Sequence, residues 1–351
     1  MVKPYTKAIR LMPKWKIYDK EDVKRLTKVR PGETKIGEIV SAGAEGLDHS
    51  RLAIIGIPED IGIRANLGTG GATTAWNAFL PAYLNLQSTQ SLRGAETCIY
   101  GYLDCSDLQH LKHSESVSAL REAVNLIDQA VAGQVDEIVA AGCFPVVIGG
   151  GHNNAYPILR GAASGYHRTG RIAAEKLDAI NLDAHSDFRR REGRHSGNGF
   201  RYAFDEGILE KYAMIGLHRN YNAANVIDEM AREANIHYCF WEEIFLEERC
   251  SFKEAVLEAI AFTRSGTTGI ELDLDAIAGV LSSAMSPSGI TSTQARQYLH
   301  LCGSKAPVAY LHICEGAVRL DNGLIDPTTG KLIAYLVSDF VRALGQNRSF
   351  S

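Results

Sequence analysis

The sequence predicts an α/β protein, a three-layer α/β/α domain around a central, mostly parallel sheet of about eight strands. Three observations carry that expectation. Apolar, β-branched runs recur along most of the chain. Helical patterns of roughly 10–20 residues separate them, the spacing of a parallel sheet buried on both faces. Metal-binding residue types fall at the last positions of three of those runs, where open parallel sheets hold their ligands.

In chain order, strands are expected at 51–57, 97–103, 145–149, 178–183, 213–217, 236–240, 268–274 and 308–313. Helices are expected at 115–132, 134–141, 153–161, 223–235 and 252–265. Gly133, between the first two, is either a helix stop or a tolerated interior glycine. The turn Asp326-Pro327-Thr328-Thr329-Gly330 introduces an apolar-faced helix over 331–344. Residues 1–50 read as a basic N-terminal extension, most simply a solvated arm, ahead of one domain spanning 51–351.

Composition excludes several classes. With 351 residues, 45% of them hydrophobic, and a formal net charge of -4, the chain has no electrostatic reason to seek nucleic acid or anionic lipid. No apolar run approaches the ~18 residues of a membrane span. The lysines near the N-terminus have no apolar segment behind them, so a cytoplasmic location is the expectation. Seven cysteines occur without a CxxC, which argues against a disulfide framework or a structural zinc site.

The three strand ends carry the chemistry. Val146-Val147-Ile148-Gly149-Gly150-Gly151-His152 offers one imidazole. Ile180-Asn181-Leu182-Asp183-Ala184-His185-Ser186-Asp187 offers two carboxylates and another imidazole. Ile270-Glu271-Leu272-Asp273-Leu274-Asp275 adds Asp273 and Asp275. Residues two apart share a face of a strand, so each run aims its ligands one way. Four buried carboxylates without counter-charge would repel or protonate, and a pair of divalent cations resolves this. Carboxylate with imidazole suits Mn2+ ahead of Fe2+, Co2+, Ni2+ or Zn2+. Two such ions acidify a shared water and hold an electrophile beside it. Taken singly, His152 could be a turn residue, the glycine run could cradle a phosphate, and Asp273 could cap a helix.

Gly149-Gly150-Gly151-His152-Asn153-Asn154-Ala155-Tyr156-Pro157, Asp183-Ala184-His185-Ser186-Asp187 and Glu271-Leu272-Asp273-Leu274-Asp275 resemble the three signature motifs of the ureohydrolases, the family of arginase, agmatinase, guanidinobutyrase and formimidoylglutamase. The resemblance covers about residues 50–345. It implies a binuclear manganese centre that hydrolyses a C–N bond of a guanidino or formimino group through a metal-bridging hydroxide. By matching position, one ion would be held by His152, Asp183, Asp187 and Asp273, and the other by Asp183, His185, Asp273 and Asp275. Asp187 would relay a proton to the leaving amine. Glu315 would grip the substrate amidinium, the alternative being a salt bridge to an arginine. The family also suggests a homo-oligomer, a trimer or hexamer.

Two departures stand out. The histidine that arginases place after Ser-Gly-Asn is missing, since Gly199-Phe200 follows Ser196-Gly197-Asn198; His195, on the other side, is the candidate substitute. Ala278-Gly279 stands where a third acid is usual.

Charge selects the substrate. The segment Gly216-Leu217-His218-Arg219-Asn220-Tyr221-Asn222 has no acid to receive an ammonium. The loop Phe188-Arg189-Arg190-Arg191-Glu192-Gly193-Arg194-His195 is basic, and arginine forks bind carboxylates bidentately. A small anionic amidine follows, with N-formimino-L-glutamate the best fit. Arg189, together with Arg190 or Arg194, would bind carboxylates, assisted by Asn198. Any of these arginines could instead face solvent or a subunit boundary. The alternatives are a urea-releasing arginase, agmatinase or guanidinobutyrase, and a non-catalytic relative, whose usual mark, loss of ligands, is absent.

Overall fold

Alternation of apolar residues within the strands decides the layering. Ile54, Val146, Ile148, Ile180 and Leu182 enter one core, while their neighbours Ile55, Val147 and Ala179 enter another on the opposite face. Period-two alternation of wholly apolar residues leaves neither face for water, and helices cover both. The computed structural model describes residues 12–114 and 116–347.

The strands are β1 (Lys14–Ile17), β2 (Ser41–Ala42), β3 (Leu52–Gly56), β4 (Thr97–Asp104), β5 (Phe144–Ile148), β6 (Leu177–Leu182), β7 (Leu209–Leu217), β8 (Ile236–Phe240), β9 (Thr268–Asp273) and β10 (Val308–Cys314). They lie in the order β1-β4-β3-β5-β10-β9-β6-β7-β8, with β2 against β4. All pairings are parallel except β1 with β4. Helices α1 (Ala75–Leu84), α4 (Phe252–Phe262), α5 (Ser292–Lys305) and α6 (Thr329–Leu344) cover one face; α2 (Val117–Ala140) and α3 (Ala155–Arg168) cover the other.

All eight expected strands form, and two more precede them. The region read as a solvated arm contributes β1 as an antiparallel edge strand, anchored where Trp15 Nε1 donates to Ala130 O of α2 at 3.1 Å. Lysines at 14 and 16 hid this strand; on a two-sided edge, charge is compatible with pairing. Residues 1–11, 115 and 348–351 of the expected segments lie outside the described residues. The two helices expected on either side of Gly133 are one continuous α2, with Gly133 as a tolerated interior glycine. In sheet order, the strands bearing the ligand-type residues are not all adjacent: β10 lies between β5 and β9. Strand order is a tertiary property, and the insertion places β10 side chains inside the site.

Gly269 of β9 faces the Tyr310 ring of β10, where a Cβ would lie 2.3 Å from Cζ. Gly269→Ala should therefore cost about 1–3 kcal/mol of stability through overpacking, measured by denaturant unfolding; an unchanged midpoint would show that the ring can move aside.

Candidate metal centre and substrate cleft

The turn after β5 requires glycine. Gly149 and Gly150 have φ of 91° and 78°, a region other residues enter with strain. Here the chain reverses to bring His152 back over the sheet end. Buried Glu59, following β3, organises the turn. Its Oε1 accepts from Gly151 N, Asn153 Nδ2 and Asn154 Nδ2 at 3.1, 3.2 and 2.7 Å, and its Oε2 from Ile61 N and Gly62 N at 2.7 and 3.2 Å. The sequence reading missed Glu59, whose only signal is its position just past a strand.

The second and third runs use one device. Asp183 Oδ1 accepts from His185 N at 2.7 Å, and Asp273 Oδ1 accepts from Asp275 N at 2.8 Å. Each bond fixes the carboxylate and leaves Oδ2 aimed at His152 Nδ1, 3.2 Å away in both cases. Asp187 Oδ2 lies 2.9 Å from the same nitrogen. His185 Nδ1 lies 3.1 Å from Asp275 Oδ2 and 3.5 Å from Asp183 Oδ1. Ligand atoms of His152, Asp183, Asp187 and Asp273 thus gather at one point, and those of Asp183, His185 and Asp275 at an adjoining one. Asp187 and Glu315 both hold positive φ, 45° and 62°, strain of the kind that accumulates where function over-determines the backbone.

These residues fit a pair of hard divalent cations. One nitrogen surrounded by three carboxylate oxygens cannot hydrogen-bond to all of them, and both His152 ring nitrogens and Asp275 Oδ1 are buried without a hydrogen-bond partner. Such atoms are costly to bury unless something else satisfies them. The crowding shifts how its members titrate. Burial would push His152 down, yet Cys314 and the three aspartates hold it well above its ordinary value. Burial, then the Asp183 charge, pushes Asp187 up to about 6. Burial, then Asp275 and Asp183, pushes Asp273 well up. Cations would relieve the same repulsion without protons. A further grouping, His152 with His312 and Cys314, is a poorer candidate: burial keeps the Cys314 thiol well above its usual range, and His312 Nδ1 is taken by Glu271 Oε2 at 2.7 Å.

Glu271 and its partners support His152 from behind. Tyr310 Oη donates to Glu271 Oε1 at 2.7 Å, and Glu271 Oε2 lies 3.5 Å from His152 Nε2. Phe200 and the His152 ring pack in a T-shape at a centroid distance of 5.0 Å. Glu271 and Asp273 share a strand face, the one sequence signal that links Glu271 to the site. Glu315, at the end of β10, accepts from His152 N at 2.9 Å through Oε1, and burial pushes its carboxyl up to about 8.

A cleft of about 540 Å3 opens over this cluster, lined by His185, Asp187, Asp273, Asp275 and Glu315 at its floor and by Arg189, Arg190 and Glu192 at its rim. The basic loop divides. Arg189 and Arg190 reach the cleft. Arg194, expected among the carboxylate-binding residues, is buried: it donates to Asp128 Oδ2 at 2.8 Å, Asn153 O at 2.7 Å and Asn198 Oδ1 at 2.8 Å, with its guanidinium over Tyr156 and Tyr202. Asn198, expected to assist, is consumed by the same network, accepting also from His195 N and donating to Gly193 O at 2.8 Å. His195 is fully buried beside the cleft and lines none of it; its Nδ1 accepts from Gly197 N at 3.1 Å. Burial, then Arg189 and Arg121, hold its imidazole down at about 4, so it stays neutral. A buried guanidinium must satisfy its whole fork of donors, which is why Arg194 draws in Asn198 and leaves the cleft to Arg189 and Arg190.

Arg194→Met should cost about 3–5 kcal/mol by stranding the Asp128 carboxylate, whereas Arg189→Ala at the exposed rim should cost under about 0.5 kcal/mol. Thermal or denaturant melts of the two variants would check the contrast, and equal stabilities would refute the division of the loop.

A model of the arginase family matches residues 50–341. Formimidoylglutamase of Nocardia farcinica is 26% identical over 306 residues, 87% of this chain and 90% of that protein. Formimidoylglutamase of Geobacillus thermodenitrificans is 29% identical over 300 residues, 83% of each chain. Among solved structures, Trypanosoma cruzi formiminoglutamase with two Mn2+ ions superposes with a TM-score of 0.69 at 20% identity, covering 90% of this chain and 99% of that one. Formimidoylglutamase of Bacillus subtilis gives 0.68 at 16% identity, covering 92% and 95%. The fold is shared throughout, and with the family model spanning most of its length, this chain belongs to the arginase family of metal-dependent hydrolases.

Proposed function

We propose that this protein hydrolyses the formimino C–N bond of N-formimino-L-glutamate, giving L-glutamate and formamide, with two Mn2+ ions as its cofactors. The observation that carries the reading is one cleft with a carboxylate and imidazole floor and an arginine rim. The formimidoylglutamase relatives support the same substrate. His152, Asp183, Asp187 and Asp273 would hold one ion, and Asp183, His185, Asp273 and Asp275 the other. When bound, the ions supply Lewis acidity that activates water and polarises the amidine carbon.

The chain's own residues do the rest. Glu315, its backbone strained and its Oε1 tied to His152 N, is held rigidly enough to orient an amidinium over the floor. Asp187, buried at the floor with its Oδ2 2.9 Å from His152 Nδ1, is placed to take a proton and return it to the departing amine. Arg189 and Arg190 receive substrate carboxylate. Of the acids that line this side, Glu192 is paired with Arg189 and Arg190 and Glu229 with Arg201, so neither offers much to an ammonium. His195 is buried and does not line the cleft, and it meets the rim through Glu192, 3.3 Å from its Nε2. A homo-oligomer in the cytoplasm remains the expected setting, and no helix among the described residues is long and apolar enough to cross a membrane.

Hydrolysis of N-formimino-L-glutamate, arginine, agmatine and 4-guanidinobutyrate by Mn2+-loaded protein, assayed side by side, should release formamide from the first and no urea from the others. Urea from arginine or agmatine would overturn the charge argument. Asp183→Asn should lower bound Mn2+, read by mass spectrometry of metals, and abolish turnover. Arg189→Ala should raise KM about tenfold, the value of one charged hydrogen bond, with full metal content.

A further inference from the structure

The Arg189 guanidinium already has partners within the chain. Nη1 donates to Asn66 Oδ1 at 2.7 Å, and Nη2 donates to Glu192 Oε1 at 2.9 Å. Glu192 is the centre of this rim. Its Oε1 also accepts from Arg121 Nη2 at 3.4 Å, and its Oε2 accepts from Arg190 Nε at 3.2 Å. His195 Nε2 faces Oε1 at 3.3 Å. Because His195 Nδ1 accepts from Gly197 N, the neutral ring carries its proton on Nε2, towards Glu192. Three guanidinium groups therefore converge on one carboxylate, leaving positive charge unmatched, and that carboxylate lines the same cleft as Arg189 and Arg190.

We propose that Glu192 is a specificity-determining residue whose carboxylate occupies the place on Arg189 that a substrate carboxylate takes, so that binding exchanges one for the other. This rests on the carboxylate-clamp reading of the rim above. The exchange is selective for physical reasons. A carboxylate can replace a charged acceptor on equal terms. A hydroxyl or amide would displace it at a loss, which builds rejection of uncharged analogues into the free protein. Once displaced, Glu192 remains countered by Arg190 and Arg121, so the step strands no charge.

Glu192→Gln separates this from a merely supporting role, because the two predict opposite signs. As an internal competitor, Glu192 weakens substrate binding; its removal should lower KM for N-formimino-L-glutamate and the Kd of glutarate, titrated calorimetrically, by about three- to fivefold, the range of a partly exposed ion pair. The gain should vanish in the Glu192→Gln, Arg189→Ala double variant. If Glu192 serves only to hold Arg189 in place, both constants rise or stay level, and the proposal is wrong. Should the unaltered enzyme release no formamide, the substrate assignment fails, and the glutarate titration still decides the exchange.

Discussion

His152 Nδ1 lies 2.9–3.2 Å from oxygens of three different aspartates, and much of the molecule can be understood from what that convergence costs. The carboxylate oxygens gathered there lie within 4.8 Å of one another, and like charges at that range repel by several kcal/mol at the effective dielectric of a protein interior. They stay together only if the backbone leaves them no alternative. The i, i+2 bonds from Asp183 to His185 N and from Asp273 to Asp275 N remove the freedom of each carboxylate to rotate away. The apolar strands beneath, locked between two helical layers, remove the freedom of the backbone. A sheet of this rigidity pre-organises a donor set before any ion is bound, so that binding energy is not consumed in gathering the ligands.

The same constraint explains the ring of buried polar groups that touch no substrate. Glu59 accepts five donors from the loop around His152 and the segment after β3, and Glu271 joins Tyr310 and His312 behind it. A buried carboxylate so fully bonded is rigid, and its neighbours inherit that rigidity. Strain is concentrated at Asp187 and Glu315, the two positive-φ acids whose side chains the mechanism would use directly. Elsewhere in the site, glycine takes the left-handed positions.

How much of this was legible in the sequence follows from the range of each interaction. The strands were legible because burial on both faces writes continuous apolar runs. The ligand-type residues were legible because they sit two apart at strand ends. What escaped depends on contacts between distant segments. The place of β10 between β5 and β9, the service of Glu59 to a loop 92 residues later, and the burial of Arg194 on Asp128, 66 residues away, leave no local trace. Arg189, Arg190 and Arg194 are alike in sequence; only the acceptors around each tell which is structural. The edge strand β1 was hidden by its lysines, since an edge exposed to water need not look apolar.

The loop divides by exposure, with Arg189 and Arg190 at the cleft and Arg194 built into the scaffold. Carboxylates line the floor of the cleft and guanidinium groups its rim. On the proposed reading, a molecule with an amidinium at one end and only carboxylates at the other suits both; agmatine brings a lone ammonium to a rim of guanidinium groups, and arginine brings one beside its carboxylate. Electrostatic discrimination of this kind operates best at a partly exposed rim, where water lets charged groups exchange partners at little cost. At the buried floor, where desolvation makes exchange slow and expensive, the chain fixes its carboxylates instead. The position of each charge relative to solvent thus separates the residues suited to choosing a substrate from those suited to transforming it.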